Sequence, residues 1–265
     1  MKTIIFTDLD GTLLNHDNYS FDEAQEALEL LKQKDIPIIF TTSKTKIEVE
    51  LLQRKVGIKE PFITENGAAI FFPKEYKGFD LSFLKDHGEY KVLQLGKTYA
   101  QILNFYNQYK EEFGMFGFSQ MNLEEVSYYT GLDTEGSNFA KTRDFTEPFL
   151  LEDPSKLENL KNLALTYKIK ITKGGRFYHL IGEKQDKGIA VKEAIKVFSK
   201  LFDSKINAIA LGDGPNDIVM LENVDIPIAI QAHDDSYIDV SISNLQKSSF
   251  KGPKGWNEMV LKNVD

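Results

Sequence analysis

Thr3-Ile4-Ile5-Phe6-Thr7-Asp8-Leu9-Asp10-Gly11-Thr12 is an apolar run that ends in two carboxylates one residue apart. Consecutive β-branched and aromatic residues suit a strand of a parallel sheet covered on both faces, and ligands of such sheets bind just beyond the strands' carboxyl ends. Side chains two apart on a strand point the same way. Asp8 and Asp10 are therefore expected to converge on one ion, while Gly11 lets the backbone turn toward a ligand. That geometry suits Mg²⁺ and phosphate. The tetrapeptide Asp-Leu-Asp-Gly alone fits a polar turn closing a strand equally well, so partners further along must decide.

At 265 residues the chain has room for one large domain or two of unequal kind. With 42% hydrophobic and 27% charged residues it has the composition of an ordinary globular protein. The net charge of -8, with lysines scattered among glutamates, argues against a nucleic-acid partner, which wants a concentrated basic face. Absence of cysteine excludes disulfides, zinc-thiolate sites and thiol catalysis, and fits a reducing compartment; the cytoplasm is the expected location. The two aspartates interrupt the first apolar run too early for a signal peptide, and no later run is long enough to span a bilayer, so no membrane partner is expected.

After the acidic loop, Ser20 and Glu23 have the spacing of a capping box, and Ala24, Ala27, Leu28 and Leu31 recur at helical spacing. Ile36–Thr41 is a second apolar run that ends in hydroxyls, Thr41-Thr42-Ser43, before a helix with Ile47, Leu51, Leu52 and Val56 on one face. The βαβα order implies a parallel sheet. Hydroxyls between a strand and a helix can bind phosphate or cap the helix. Phe62–Phe72 reads as a hairpin around Asn66-Gly67. From roughly Asp80 aromatics become dense, Glu125-Val126-Ser127-Tyr128-Tyr129 alternates like a strand, and helical stretches lie near Thr98–Phe113 and Ser155–Tyr167. This texture indicates an inserted α+β unit. Within it Arg143, Glu147 and the Gly174-Gly175-Arg176-Phe177-Tyr178-His179 run are candidates for a substrate pocket; singly, the arginines also fit surface ion pairs and His179 a structural histidine.

The parallel pattern returns at Asp186-Lys187-Gly188. A lysine at a helix N-terminus opposes the helix dipole, so an anionic neighbour such as a carboxylate cluster or a phosphate explains Lys187 better than a plain solvated lysine, the alternative reading. Ile206–Leu211 then forms a strand ending in a second acidic loop, Gly212-Asp213-Gly214-Pro215-Asn216-Asp217, and Ile226–Ile230 gives a further buried strand.

Two acidic loops, a hydroxyl loop and a helix-starting lysine, in this order, resemble the haloacid dehalogenase superfamily of phosphatases. The motifs stand here as Asp8–Thr12, Thr42-Ser43, Lys187 and Gly212–Asp217. The resemblance implies a Rossmann-like parallel-sheet α/β core with an inserted α+β cap of the C2B type. It makes Asp8 the nucleophile that forms an aspartyl-phosphate, and Asp10 the acid and then base. It assigns Mg²⁺ to Asp8, the Asp10 backbone and Asp213, with Asn216 and Asp217 orienting that shell, and phosphate to Leu9, Thr42, Ser43, Lys187 and Asn216. Within the superfamily, Thr42-Ser43-Lys44-Thr45, Glu65-Asn66-Gly67-Ala68, Arg143 with Thr146-Glu147-Pro148-Phe149, Gly174–Phe177 and Gly252-Pro253-Lys254-Gly255-Trp256 are similar to the mannosyl-3-phosphoglycerate phosphatase family. That likeness implies a glycosyl-phosphoglycerate or phosphorylated sugar as small-molecule partner, with Lys44, Glu65, Asn66, Arg143, Glu147, Gly175, Arg176 and His179 as substrate-binding residues. It also implies a core of residues 1–82 and 185–265 around a cap of 83–184. A phosphoacceptor signalling domain shares the carboxylates, Mg²⁺ and lysine; Asp10 and the large insertion argue against it.

Overall fold

The computed structural model describes residues 1–174 and 176–264. In chain order, β1 (Lys2–Thr7), α1 (Gln25–Gln33), β2 (Ile38–Thr41), α2 (Lys46–Val56) and β3 (Phe62–Thr64) form the expected alternating unit. A hairpin leads to β4 (Ala69–Pro73), β5 (Lys85–His87) and β6 (Tyr90–Gln94). The inserted part comprises α3 (Tyr99–Phe113), β7 (Met115–Gly117), α4 (Leu123–Thr130), α5 (Thr134–Lys141), β8 (Glu147–Leu151), α6 (Leu157–Thr166), β9 (Ile169–Gly174) and β10 (Phe177–Gly182). The chain closes with α7 (Lys187–Phe202), β11 (Ile206–Gly212), α8 (Ile218–Leu221), β12 (Ile226–Gln231), β13 (Gln246–Lys251) and α9 (Gly252–Val264).

The larger sheet has the order β13-β12-β11-β1-β2-β3-β4-β6-β5, parallel from β13 to β3 and antiparallel beyond. Alternation along β1 builds two cores. Ile5 packs with α1 and α9 residues such as Leu31 and Trp256 on one face, whereas Ile4 and Phe6 pack with Val191, Ala194 and Phe198 of α7 on the other. Both faces are covered, which explains why the strands read as continuous apolar runs. Because β1 has β2 on one side and β11 on the other, the loops at their carboxyl ends open at a topological switch point.

The smaller sheet, β7-β8-β10-β9, is antiparallel. One face carries α3 and α6, with Ile102, Phe105, Leu160 and Leu180 in a common core. Near its opposite side Phe118, Val126 and Phe177 form a second cluster with α4 and α5.

Several local expectations change. Glu125–Tyr129 is helix rather than strand: Asn122 caps it by accepting from the Glu125 backbone, Glu125 answers to the Asn122 backbone, and only Val126 is buried. Ser20 and Glu23 do not form a capping box; the Ser20 hydroxyl accepts from the Asp22 amide ahead of a 3₁₀ turn, and α1 starts at Gln25. In α2 the fully buried positions are Val49 and Gln53, and the Gln53 amide holds the Glu60 backbone. Residues 85–94 fall after the expected boundary at 82/83, yet they pair into the larger sheet through β4.

Candidate active site

β1 ends at Thr7, so strand alternation does not extend to the two aspartates. Asp8 is buried, and its Oδ1 lies 2.6 Å from Lys187 Nζ. Asp10 turns elsewhere: its carboxylate pairs with Lys44 at 2.9 Å. The expected convergence of both carboxylates on one ion therefore fails. The cluster that forms instead is Asp8, Asp213 and Asp217, each offering a carboxylate oxygen within 4.8 Å of the others.

Lys187 has the anionic neighbours its position demanded. Its fully buried ammonium donates to Asp8 and to Asp217, both at 2.6 Å. Burial disfavours that charge, but Asp217 and Asp8 overcome the penalty and hold the ammonium above its usual range. Asp217 is saturated, since its second oxygen accepts from the amides of Asp213 and Gly214. Asp213 accepts from the Thr12 hydroxyl at 2.7 Å, and burial, reinforced by Asp217, pushes its carboxyl up to about 7. Burial and Asp217 also raise the Asp8 carboxyl well above the carboxylate range. Three clustered carboxylates face one ammonium, an excess of negative charge that a hard divalent cation fits. Gly11 is required beside it: its φ is +81°, and a Cβ there would meet Asp213 Oδ2 at 2.5 Å.

The hydroxyl loop lies next door. Thr42 is buried, with its oxygen accepting from the Lys44 amide at 3.1 Å, and the helix cap is Thr45 rather than Thr42 or Ser43. Leu9 is buried, and its carbonyl turns the acidic loop by accepting from Thr12 and Leu14. Asn216 Nδ2 donates to Asn66 Oδ1 at 3.2 Å, tying the second acidic loop to the β3–β4 hairpin.

Above these loops a cavity of about 450 Å³ is lined by Asp10, Ser43 and Lys44 from below and by Tyr129, Arg143, Pro148, Arg176, Phe177 and His179 from the inserted part. Although burial opposes its charge, Lys44 is held above the usual lysine range by Asp10 and Glu48, and Tyr19 lies 5.1 Å under its ammonium. Register decides which cap residues reach the cavity. His179 pairs opposite Pro148, and both line it; Glu147 pairs opposite Leu180, whose side chain lies in the helix-covered core. Glu147 thus faces away from the cavity, accepting from Tyr99 at 2.7 Å and from the Ser119 amide and hydroxyl.

Glu65 and Arg143 also depart from expectation. Glu65 accepts from the amides of Asp144, Phe145 and Thr146 and from the Thr146 hydroxyl. Arg143 donates from Nε to Thr146, from Nη1 to the Ala140 carbonyl and from Nη2 to the Ser43 carbonyl. Neither group is free to grip a ligand in two parallel bonds. Arg176 is exposed and donates to the Tyr129 carbonyl at 2.7 Å. His179 is buried, its Nδ1 has no partner among the described residues, and burial with Arg143 nearby lowers its pKa to about 3, leaving it neutral. Gly175 lies outside the described residues.

Sequence reasoning passed over Glu48 and Gln185, and named Trp256 only within a family motif, with no contact expected of it. The Thr45-x-x-Glu48 spacing signals the first. The Trp256 indole donates to the Thr7 hydroxyl, which donates to the Asp8 carbonyl; no local pattern reveals a contact 249 residues apart.

A haloacid dehalogenase-like hydrolase family model matches residues 5–241. In a haloacid dehalogenase-like hydrolase from B. subtilis the same fold recurs with a TM-score of 0.69 at 19% identity, each chain covered over 100% of its length. The chain is 48% identical over 259 residues to a glucosyl-3-phosphoglycerate/mannosyl-3-phosphoglycerate phosphatase of Persephonella marina, covering 98% of this chain and 96% of that one. It is 34% identical over 230 residues to a mannosyl-3-phosphoglycerate phosphatase of Pyrococcus furiosus, covering 87% and 91%. The chain belongs to the haloacid dehalogenase-like hydrolases and, within them, to the mannosyl-3-phosphoglycerate phosphatase family of phosphoric monoester hydrolases. Among the described residues no helix is long and apolar enough to cross a membrane.

Proposed function

We propose that this chain hydrolyses mannosyl-3-phosphoglycerate to mannosylglycerate and inorganic phosphate, and accepts glucosyl-3-phosphoglycerate at the same site. The observation that carries this reading is the two-sided cavity, with Asp10 and Lys44 of the core facing Arg176 and His179 of the cap. Its size suits a glycosylated glycerate, and a glycerate carboxylate calls for a charge-assisted partner, which Arg176 and Lys44 supply. The Persephonella relative, whose name covers both sugars, supports dual acceptance.

Asp8 attacks phosphorus while Asp10 protonates the departing glycerate oxygen; Asp10 then takes a proton from the water that splits the aspartyl-phosphate, releasing phosphate and restoring Asp8. The Thr42 and Ser43 loop, the Leu9 backbone, Lys187 and Asn216 hold the phosphoryl oxygens. Asp8, the Asp10 carbonyl and Asp213 would hold Mg²⁺, with Asp217 and Asn216 orienting them; bound there, the ion supplies charge neutralisation for an anionic nucleophile meeting an anionic ester. In this reading the cap is the segment between Gly96 and Gly182, narrower than 83–184; the pairing of β5 and β6 into the larger sheet supports the later start.

The test is phosphate release from mannosyl- and glucosyl-3-phosphoglycerate, mannose 6-phosphate, glucose 6-phosphate and 3-phosphoglycerate, with and without a chelator. The glycosylated glycerates should give the highest kcat/KM, and chelation should stop turnover. A simple hexose phosphate ranking first would overturn the substrate assignment.

A further inference from the structure

Glu65 follows β3 of the core, and its carboxylate sits in a concavity of three successive amides from the cap. The distances are 2.8 Å to Asp144 N, 3.2 Å to Phe145 N and 2.8 Å to Thr146 N, with the Thr146 hydroxyl at 2.8 Å and Arg143 Nε at 3.3 Å. Successive amides converging on one carboxylate form an anion nest. The backbone carbonyl of the same residue accepts from Gln185 Nε2 at 2.7 Å, and Gln185 Oε1 accepts from the amide of Gly182, where the cap returns to the core. At the other crossing, the Tyr99 amide donates to the Asp144 carbonyl. One core residue therefore holds a cap loop with its side chain and the return linker with its backbone. Its conformation is specialised for this: Glu65 has φ of +48° and Asn66 of +58°, a left-handed pair ahead of Gly67.

The connection continues to the phosphate loop. Arg143, beside the nest, donates to the Ser43 carbonyl at 2.9 Å, and the Thr45 hydroxyl donates to the Phe139 carbonyl at 3.0 Å. These two bonds tie the cap to the Ser43–Thr45 loop without involving Glu65, so the phosphate loop keeps its own support when Glu65 is altered.

We propose that Glu65 is a positioning residue, a pin in the amide nest of residues 144–146 that sets the cap at its working distance from the core and so confers preference for substrates that reach the cap. This rests on the two-sided cavity argued above. A substrate lying only over the core needs no pin, whereas one bridging to Arg176 and His179 does.

The experiment compares wild type with Glu65→Gln, which keeps the shape and removes the charge. On mannosyl-3-phosphoglycerate, kcat/KM should fall roughly tenfold or more, chiefly through KM, while p-nitrophenyl phosphate, with neither sugar nor glycerate, should change by no more than about twofold. Amide hydrogen exchange at 144–146 should accelerate while that of β1 and β11 stays put. Equal losses on both substrates, no loss on either, or unchanged exchange at 144–146 would each overturn the pin. If Glu65→Gln does not fold, Thr146→Val removes one donor to Glu65, together with an acceptor of Arg143, and should give the same split in smaller measure; an unsplit effect counts against the proposal. Should wild type not hydrolyse the glycosylated glycerate, the substrate reading falls separately, and the same split is read between the best substrate of the panel and the aryl phosphate.

Discussion

Lys187 Nζ lies 2.6 Å from Asp8 Oδ1, a contact between residues 179 positions apart that joins the start of α7 to the end of β1. Asp217 holds the same ammonium from the opposite loop. Replacing the lysine by an apolar residue leaves carboxylates buried without their counter-charge, which costs about 3–5 kcal/mol. Lys187→Met should accordingly lower the unfolding free energy measured in denaturant and cut kcat by roughly 10³ or more. A Lys187→Met protein of unchanged stability and ordinary turnover would refute the role of this contact.

The two cap arginines should separate. Arg143 is a buried hub, so Arg143→Ala should lower the thermal midpoint measurably. Arg176 is exposed and faces the cavity, so Arg176→Ala should leave the midpoint nearly unchanged and raise KM for the glycosylated glycerate roughly ten- to hundredfold. Calorimetry and steady-state kinetics on both variants decide; the opposite pattern would make Arg143 the ligand partner.

Asp213 and Asp217 should also differ. Asp217 has both oxygens engaged by Lys187 and two amides, whereas Asp213 has one accepting from Thr12. Asp213→Asn should raise the Mg²⁺ concentration for half-maximal activity steeply, while Asp217→Asn should mainly lower kcat and stability. Metal titrations with the reverse order would reassign the two aspartates.

His179 gives a pH dependence of stability. Its folded pKa of about 3 lies below the unfolded value of 6.5. Between those values the unfolded chain binds a proton that the folded one does not, so the stability is complete above 6.5 and drains away as pH falls toward 3. The slope contributed is at most about 1.4 kcal/mol per pH unit. His179→Gln should flatten the fall in thermal midpoint between pH 6.5 and 4.5; an identical fall in both proteins would place the titration elsewhere.

Much of this architecture is legible in the chain. β1, β2 and β11 announce themselves because both sheet faces are covered and the strands are uniformly apolar, and Lys187 announces its anionic partners by sitting against the helix dipole. The cap is harder. Glu125–Tyr129 alternates like a strand but is a helix with one buried residue, so burial leaves little pattern to read. Glu147 and Glu65 enter as ligand candidates through the family likeness; strand register turns the first inward, and a nest some 80 positions away claims the second. Asp10 misleads for a local reason: the strand stops at Thr7, so alternation no longer applies.

The proposed covalent role of Asp8 is the centre of the mechanism, and borohydride trapping during turnover tests it most directly. Reduction of an aspartyl-phosphate converts that aspartate to homoserine, which peptide mass spectrometry locates. Homoserine at position 8, dependent on substrate and absent in Asp8→Asn, is the expected result. Continued phosphate release with no homoserine at position 8, or with homoserine at position 10 instead, would contradict it.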